Sequence, residues 1–418
     1  MLNIQEQSEV KQILKDLLRI ESVQPQGDET LVVQYIQELF QKEDIKIQRV
    51  AKEENRQNLI ATIKGGAKPP ILLLSHVDVV PPQGEWRYPP FSAHEDENGV
   101  IWARGALDTK HLTAMEIMAM LKLVRQGKSF NRDIVLVASA DEESGSHCGM
   151  KFLREEHPEL IPTGAFTISE GGGFVILTNG KKFRTCTCGE KGDAAVGVTA
   201  YKSEEFNIFD VKTHSSYGML SAINALSAYK SDETLCKVTQ SFKEKTQEQD
   251  FECNTLKNLW EYSTKHDLQI AAFDVSYTQE NINEDAVIKT GFKFIPGITK
   301  EVIYEIYLRL LKGTNAGFNL DSFEEGFEST LNSDFVDNLI DKADKFDPGS
   351  QFLPMLALGR TDGRFVRENV YGFSPMLEDL PFGEVLKKVH GVDECITVNS
   401  LIYGTNVIYS AINEICFD

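Results

Sequence analysis

The sequence has no apolar run approaching the ~20 residues a membrane-spanning helix needs. It also lacks a disulfide framework. Its 7 cysteines are an odd, scattered set, which fits a reducing compartment. Cys186-Thr187-Cys188 is the only close pair. Alternate positions of a buried strand are the first reading of it, and a metal role the second. Positive charge is in deficit: 43 Lys and Arg face 63 Asp and Glu, for a formal charge of −20. That balance argues against nucleic acid or anionic membrane as a partner. Anionic substrates stay open, since local charge in a cleft can oppose the net sign. There is no internal repeat and no low-complexity tract. The opening MLNIQEQSEVKQILKDLL mixes acids and bases in an amphipathic helical pattern, unlike the basic-then-apolar pattern of a secretory leader. The expectation is a cytoplasmic protein. What is present is ordinary for a globular chain, with 41% hydrophobic and 25% charged residues, and 418 residues leave room for two domains.

The chain is organised around Ile71 to His111. Ile71-Leu72-Leu73-Leu74 reads as a strand buried on both faces. It runs into Ser75, His76, Val77 and Asp78. His76 and Asp78 lie two apart, so on an extended backbone they share a side. That suits a metal-binding imidazole whose second ring nitrogen is held by a carboxylate. A loop with four prolines and a short strand at Val100-Ile101-Trp102 follow. Arg104-Gly105-Ala106-Leu107-Asp108 then leads into a helix over 110–125. Asp108 falls in the turn before that helix, a common place for chemistry.

Helices are predicted over 5–20 and 29–42, and strands over 44–50 and 58–64, with Gly65-Gly66 and Pro69-Pro70 as punctuation. Asp133 to Ala140 is a buried strand delivering Asp141-Glu142-Glu143 at its C-terminal end. A helix over 148–156 comes next, then a strand over 165–169 ending at Glu170. Strands followed by helices, with polar groups at strand C-termini, predict an α/β sheet with its site along that edge. From Asp193 the pattern changes to strand, strand, helix (194–201, 206–212, 220–229). A polar helical insert spans 232–266, strands lie near 270–278 and 288–294, and a helix covers 299–311. This is an α+β insertion of domain size. The first pattern resumes near Ser333, passes Thr361-Asp362-Gly363-Arg364 and the segment His390-Gly391-Val392-Asp393-Glu394, and closes on a helix over 398–414.

SHVDVVP, W-x-x-PPF, IWARGALDTK and DEESGS, in this order, resemble the M20 family of co-catalytic zinc peptidases and amidohydrolases. The W-x-x-PPF and IWARGALD forms look most like its carboxypeptidase S and aminoacylase-1 branch. The resemblance implies a mixed-sheet zinc-exopeptidase catalytic domain, residues 1–191 and 329–418, into which an α+β lid and dimerisation domain, 192–328, is inserted. It also implies a homodimer and a cis peptide at Asp108-Thr109.

The candidate ligands are His76, Asp108, Glu143, Glu170 and His390. Two imidazoles and three carboxylates form a mixed N/O set suited to zinc, with manganese or cobalt as substitutes. By resemblance Asp108 bridges two ions, His76 and Glu170 hold one, and Glu143 and His390 hold the other. Adjacent side chains at a strand end diverge, so Glu143 can bind metal while Glu142 acts as general base towards the water. By resemblance Asp78 is the carboxylate behind His76. Taken singly, His76 reads as a hydrogen-bonded core histidine, the acidic triplet as solvated surface, Glu170 as a loop cap and Asp78 as a turn cap. The ordered set of motifs favours a site.

His214, in Thr213-His214-Ser215-Ser216, matches the family's lid histidine, which reaches the partner subunit's site and braces the oxyanion; a surface histidine is the alternative. The chain departs from the family in three places. His111 replaces the glycine after the D-x-K element. The glycine before His214 and the proline after it are missing. Lys293 stands where the lid's carboxylate-binding arginine is usual, and lysine lacks the bidentate fork. Arg364, or Arg360, is the further candidate for a substrate carboxylate. His94, His111, His147, His157 and His266 are assigned surface or helix-end roles. The expected activity is hydrolysis of the amide bond of a peptide or N-acyl amino acid bearing a free carboxylate. An acyl-specific deacylase, aminoacylase-like or desuccinylase-like, is the alternative within that class. An inactive metal-binding dimeric scaffold is the alternative outside it.

Overall fold

The computed structural model describes residues 1–43, 45–200, 236–247, 251, 254–265, 267–269, 286–313 and 316–417. The chain divides into two compact units. One is Met1–Cys188 with Asp250–Glu252 and Ser329–Asp418, and the other is Gly189–Gln249 with Cys253–Glu328. The order begins α1 (Ile4–Arg19), α2 (Thr30–Gln41), β1 (Lys46–Ala51), β2 (Gln57–Ile63), β3 (Lys68–His76), β4 (His94–Glu95), β5 (Val100–Trp102), α3 (Lys110–Val124) and β6 (Arg132–Ser139). It continues through α4 (Met150–Glu156), β7 (Phe166–Ser169), β8 (Val175–Thr178) and β9 (Lys181–Thr187). The second unit holds β10 (Gly189–Glu190), β11 (Gly192–Ala200), α5 (Lys237–Lys245), α6 (Asn254–Thr264), β12 (Asp267–Gln269), β13 (Ala286–Phe294), α7 (Lys300–Leu310), β14 (Ala316–Glu324) and β15 (Phe327–Glu328). The first unit resumes with α8 (Asp334–Phe346), β16 (Gln351–Met355), β17 (Val370–Gly372), α9 (Phe382–Lys388), β18 (Cys395–Thr397) and α10 (Val398–Phe417).

In the first unit nine strands form one mixed sheet in the order β1-β2-β6-β3-β7-β17-β9-β16, with β8 paired to β9. β6, β3, β7 and β17 run parallel, so the C-terminal ends of β6, β3 and β7 lie side by side. Ile71 to Leu74 are fully buried. Leu72 and Leu74, with Val135 and Val137, pack on Met150, Phe152 and Leu153 of α4. Ile71 and Leu73 face the other way by the period of two, and α3 covers β3 with α1 and α10 against it. Helix α3 has no polar face: residues 110 to 121 are all buried, including Met115, Met118 and Met120 as core. α1 opens with a capping box in which Asn3 accepts from the Glu6 backbone N–H and Glu6 accepts from that of Asn3.

Some strands differ from the sequence expectation. β3 begins at Lys68, so Pro69 and Pro70 lie inside it. Its register against β6 shifts between Lys68 and Ile71, where the prolines have no N–H to donate. β8, β14 and β16 are strands that the period-two reading did not place, while β9 contains Cys186 and Thr187 of the buried strand expected there. β14 alternates poorly because its ladder with β11 shifts register at Ala195/Val196. β16 contains Pro354 and ends the sheet, an edge position that tolerates proline. Cys186 and Cys188 are both buried, with their sulfurs 3.7 Å apart.

In the second unit β12-β13-β11-β14 form an antiparallel sheet. Ala194, Val196 and Phe294 pack on Ile298, Val302, Ile303, Ile306 and Tyr307 of α7 and its approach. The polar insert contains α5 and α6, which lie against each other. The strands expected at 206–212 and 270–278 and the helix at 220–229 lie outside the described residues. So do His214 and His266.

Candidate metal centre

Each strand end places one group. β3 stops on His76, which is 1% exposed. β6 leads through Ala140 to Asp141, whose φ of 65° turns the chain into the 3-10 turn Glu142–Ser144. Glu170 follows β7. Asp108 lies between β5 and α3, and its peptide bond to Thr109 is cis, as the resemblance implied. His390 follows α9 with φ 59°. Folding brings these into two groups, His76 with Asp108 and Glu170, and Asp108 with Glu143 and His390. His76 Nε2 is 3.0 Å from Asp108 Oδ1 and 3.3 Å from Glu170 Oε2. His390 Nε2 is 3.0 Å from Asp108 Oδ2 and 3.1 Å from Glu143 Oε2. The two oxygens of one carboxylate thus serve the two histidines.

The electrostatics call for a proton or a cation between these groups. His76 Nδ1 lies 3.0 Å from the carbonyl of Asp78 and 3.5 Å from its Oδ1. Its N–H therefore donates there, and the Nε2 lone pair faces only carboxylate oxygens, which are acceptors. A proton or a cation has to lie between them. Glu143 Oε1 is buried with no hydrogen-bond partner. Burial, then the Glu170 charge, push the Glu142 carboxyl well above the usual range. Burial also raises Glu143 and Glu170. Hydrogen bonds to Asp108 and Glu143 raise the His390 imidazole to about 10. Mixed N/O donors with an orphaned carboxylate oxygen and crowded acids fit a pair of divalent ions sharing Asp108.

The Asp78 carboxylate does more than back His76. Its Oδ1 accepts the Glu142 N–H and its Oδ2 the Glu143 N–H, each at 3.1 Å, and Gln24 Nε2 donates to Oδ2 at 2.8 Å. Asp78 therefore holds the backbone of the acidic pair. Sequence reasoning missed the layer behind it. Arg56 joins Glu29 and Asp141 in a buried network. Asp362 accepts from the hydroxyls of Ser139 and Ser146, and burial raises its carboxyl to about 6. Asp362 adjoins the singled-out Arg364, which was its available signal; Arg56 had none. His111 is a correction. It stands at a helix end as expected but is only 1% exposed, neither ring nitrogen has a partner, and burial lowers it to about 4. Apolar neighbours on α3 carry it inward.

A cleft of about 430 Å³ opens over Asp108, Glu142, Glu143, Glu170 and His390. Arg360, Thr361 and Arg364 line it as well, as do the apolar Leu107, Phe174, Leu358, Phe365, Leu386 and Val389. Arg364 is therefore brought to the site. Lys293 lies in β13 of the second unit, opposite Asp193 and Asp267 in register.

The mixed α/β sheet sets His76, Glu143 and Glu170 at or just past strand C-termini, with Asp108 and His390 beside them, a donor set suited to a metal-dependent hydrolase. The chain belongs to peptidase family M20/M25/M40, which matches it over residues 72–414. It is similar to aminoacylase-1 of Homo sapiens, 29% identical over 242 residues; the match covers 51% of this chain and 58% of that one, little more than half of the relative's length. Succinyl-diaminopimelate desuccinylase of Hydrogenovibrio crunogenus is 24% identical over 416 residues, covering 94% of this chain and 95% of that one. Among solved structures, an M20 family metallo-carboxypeptidase from Sulfolobus solfataricus shares the fold with a TM-score of 0.65 at 18% identity, covering 97% of this chain and 98% of that chain.

Proposed function

We propose that the protein is a dinuclear zinc hydrolase that cleaves the amide bond of a peptide or N-acyl amino acid with a free carboxylate. The observation that carries this is the pair of ligand groups sharing Asp108. In this reading His76, Asp108 and Glu170 would hold one ion and Asp108, Glu143 and His390 the other. Cobalt or manganese can substitute. When bound, such ions polarise the scissile carbonyl and acidify a water. Glu142 takes the proton of the attacking water and passes it to the leaving amine nitrogen. Asp78 holds the Glu142–Glu143 backbone so that the two carboxylates keep separate tasks. Arg364 in the cleft, with Lys293 and His214 from the inserted lid, are assigned to the substrate carboxylate and the oxyanion, His214 acting across a homodimer. Residues 192–328 are the lid and the remainder the catalytic domain. No helix among the described residues is long and apolar enough to cross a membrane.

A deacylase is favoured over a peptidase by the names of the two relatives and by the apolar wall of the cleft. The test is amine release from a panel of dipeptides, longer peptides, N-acetyl and long-chain N-acyl amino acids and N-succinyl diaminopimelate, each beside its carboxyl-amidated form. Turnover of acylated free acids alone is expected. Turnover of nothing by a chain carrying two zinc ions would instead support an inactive scaffold.

A further inference from the structure

We propose that Arg104 and Glu394 are positioning residues that lock the Asp108 loop and the His390 turn into one rigid unit. The two segments are 290 residues apart in the chain, yet each ends on a group of the same ligand cluster. Glu394 is fully buried and Arg104 is 1% exposed. Every acceptor site that Glu394 uses faces the Asp108 loop. Its Oε1 accepts the N–H groups of Leu107 at 2.5 Å and Asp108 at 2.9 Å. Its Oε2 accepts the N–H of Gly105 at 3.0 Å and Arg104 Nη1 at 2.6 Å. Arg104 returns the contact: its Nη2 donates to the carbonyls of His390 at 3.3 Å and Gly391 at 3.0 Å. Each segment therefore supplies the side chain that holds the other's backbone. The guanidinium fork makes this possible, since one nitrogen meets the carboxylate while the other meets two carbonyls. The Arg104 guanidinium also lies over the Trp86 ring, 5.1 Å from its centroid.

The His390 backbone supplies a second reason. His390 and Asp393 have φ of 59° and 54°, the left-handed region, uncommon for non-glycine residues although His and Asp enter it more readily than most. Arg104 Nη2 holds the His390 carbonyl in that turn at 3.3 Å, and the Arg87 N–H donates to Asp393 Oδ1 at 2.8 Å. A displacement of either segment would pull His390 Nε2 away from Asp108 Oδ2. The consequence for metal binding rests on the two-ion reading above; the lock itself does not.

Two variants of the full chain test it, Glu394→Gln and Arg104→Lys. The glutamine keeps the volume but turns an amide N–H₂ towards backbone donors. The lysine keeps the charge but loses the fork. Hydrogen–deuterium exchange of the metal-free protein is expected to rise in both 104–109 and 388–394 for each variant. A rise confined to the mutated segment, or none, overturns the proposal. In zinc titrations by calorimetry, binding is expected to weaken on the order of 10–100-fold, at both ions, because the Asp108 loop serves both ligand groups. Unchanged affinities in a folded variant also overturn it. If Glu394→Gln does not fold, Arg104→Lys carries the test alone. A wild-type chain that takes up no zinc would sink the metal reading, while the exchange result would still decide the lock.

Discussion

Glu142 and Glu143 are sequence neighbours whose backbone N–H groups share one acceptor, Asp78, while the carboxylates are left to separate partners. If Glu142 is the proton carrier, Glu142→Gln lowers turnover by about 10²–10⁴-fold and leaves both ions bound. Near-normal turnover with two ions present would remove that assignment. A second expectation concerns protons. Asp108 and Glu143 raise His390 to about 10, so the metal-free imidazole is protonated at neutral pH. An ion needs the same Nε2 lone pair. Zinc uptake near pH 8 should therefore release protons, and affinity should fall as pH falls. Calorimetry in buffers of different ionisation enthalpy measures this, and buffer-independent heats would contradict it. In the metal-free chain the sign is the reverse. The charged His390 contributes stability that is fully present below its ordinary 6.5 and lost as pH rises through about 10.

Elements set how precisely these residues meet. α3 is buried on all sides, so it fixes the Asp108 loop before it and is fixed by α1 and α10. Gly404 of α10 faces Met115 of α3. A Cβ there would lie 2.4 Å from the carbonyl oxygen of Pro375 and 2.5 Å from Met115 Sδ. Gly404→Ala would gain roughly 1 kcal/mol of helix propensity. It would lose about 1–3 kcal/mol to overpacking against backbone that has little room to move. The net expectation is a lower Tm with turnover impaired in parallel, since Pro375 adjoins the cleft residue Ser374. A raised Tm would show that the loop yields. Patterning explains which elements were legible. α1, α2, α3, β3 and β6 carry long periodic or wholly apolar signals. The bulged β14 and the proline-bearing edge strand β16 do not, and their pairing partners stabilise them instead.

At the scale of the whole molecule, the ligand cluster draws on five separate chain segments, around 76, 108, 143, 170 and 390, that only the folded chain unites. An ion bound there links them, so chelation should lower Tm and abolish activity together. At a free zinc concentration 100 times Kd, one site contributes about 2.7 kcal/mol of stability, enough to read by calorimetry. A Tm indifferent to chelator would argue that the cluster is held by protons and not by metal. The formal charge of −20 raises the expectation that binding to anionic vesicles or DNA is undetectable at physiological salt.

The sequence by itself determined the strand-end chemistry. An apolar run ending in His76, another ending in Asp141-Glu142-Glu143 and a third ending before Glu170 state which groups reach the sheet edge, because strand period and burial are local properties. The ordered motifs also carried the family, and with it Asp108 and His390. Only the tertiary structure decided which groups share a partner. The sheet order places β3 between β6 and β7, so His76 meets Glu170. The antiparallel pairing of β18 with β5 brings Glu394 under the Asp108 loop. Packing also left both ring nitrogens of His111 buried without a partner. Contacts between residues hundreds of positions apart follow from crossovers and packing, and no local periodicity records them.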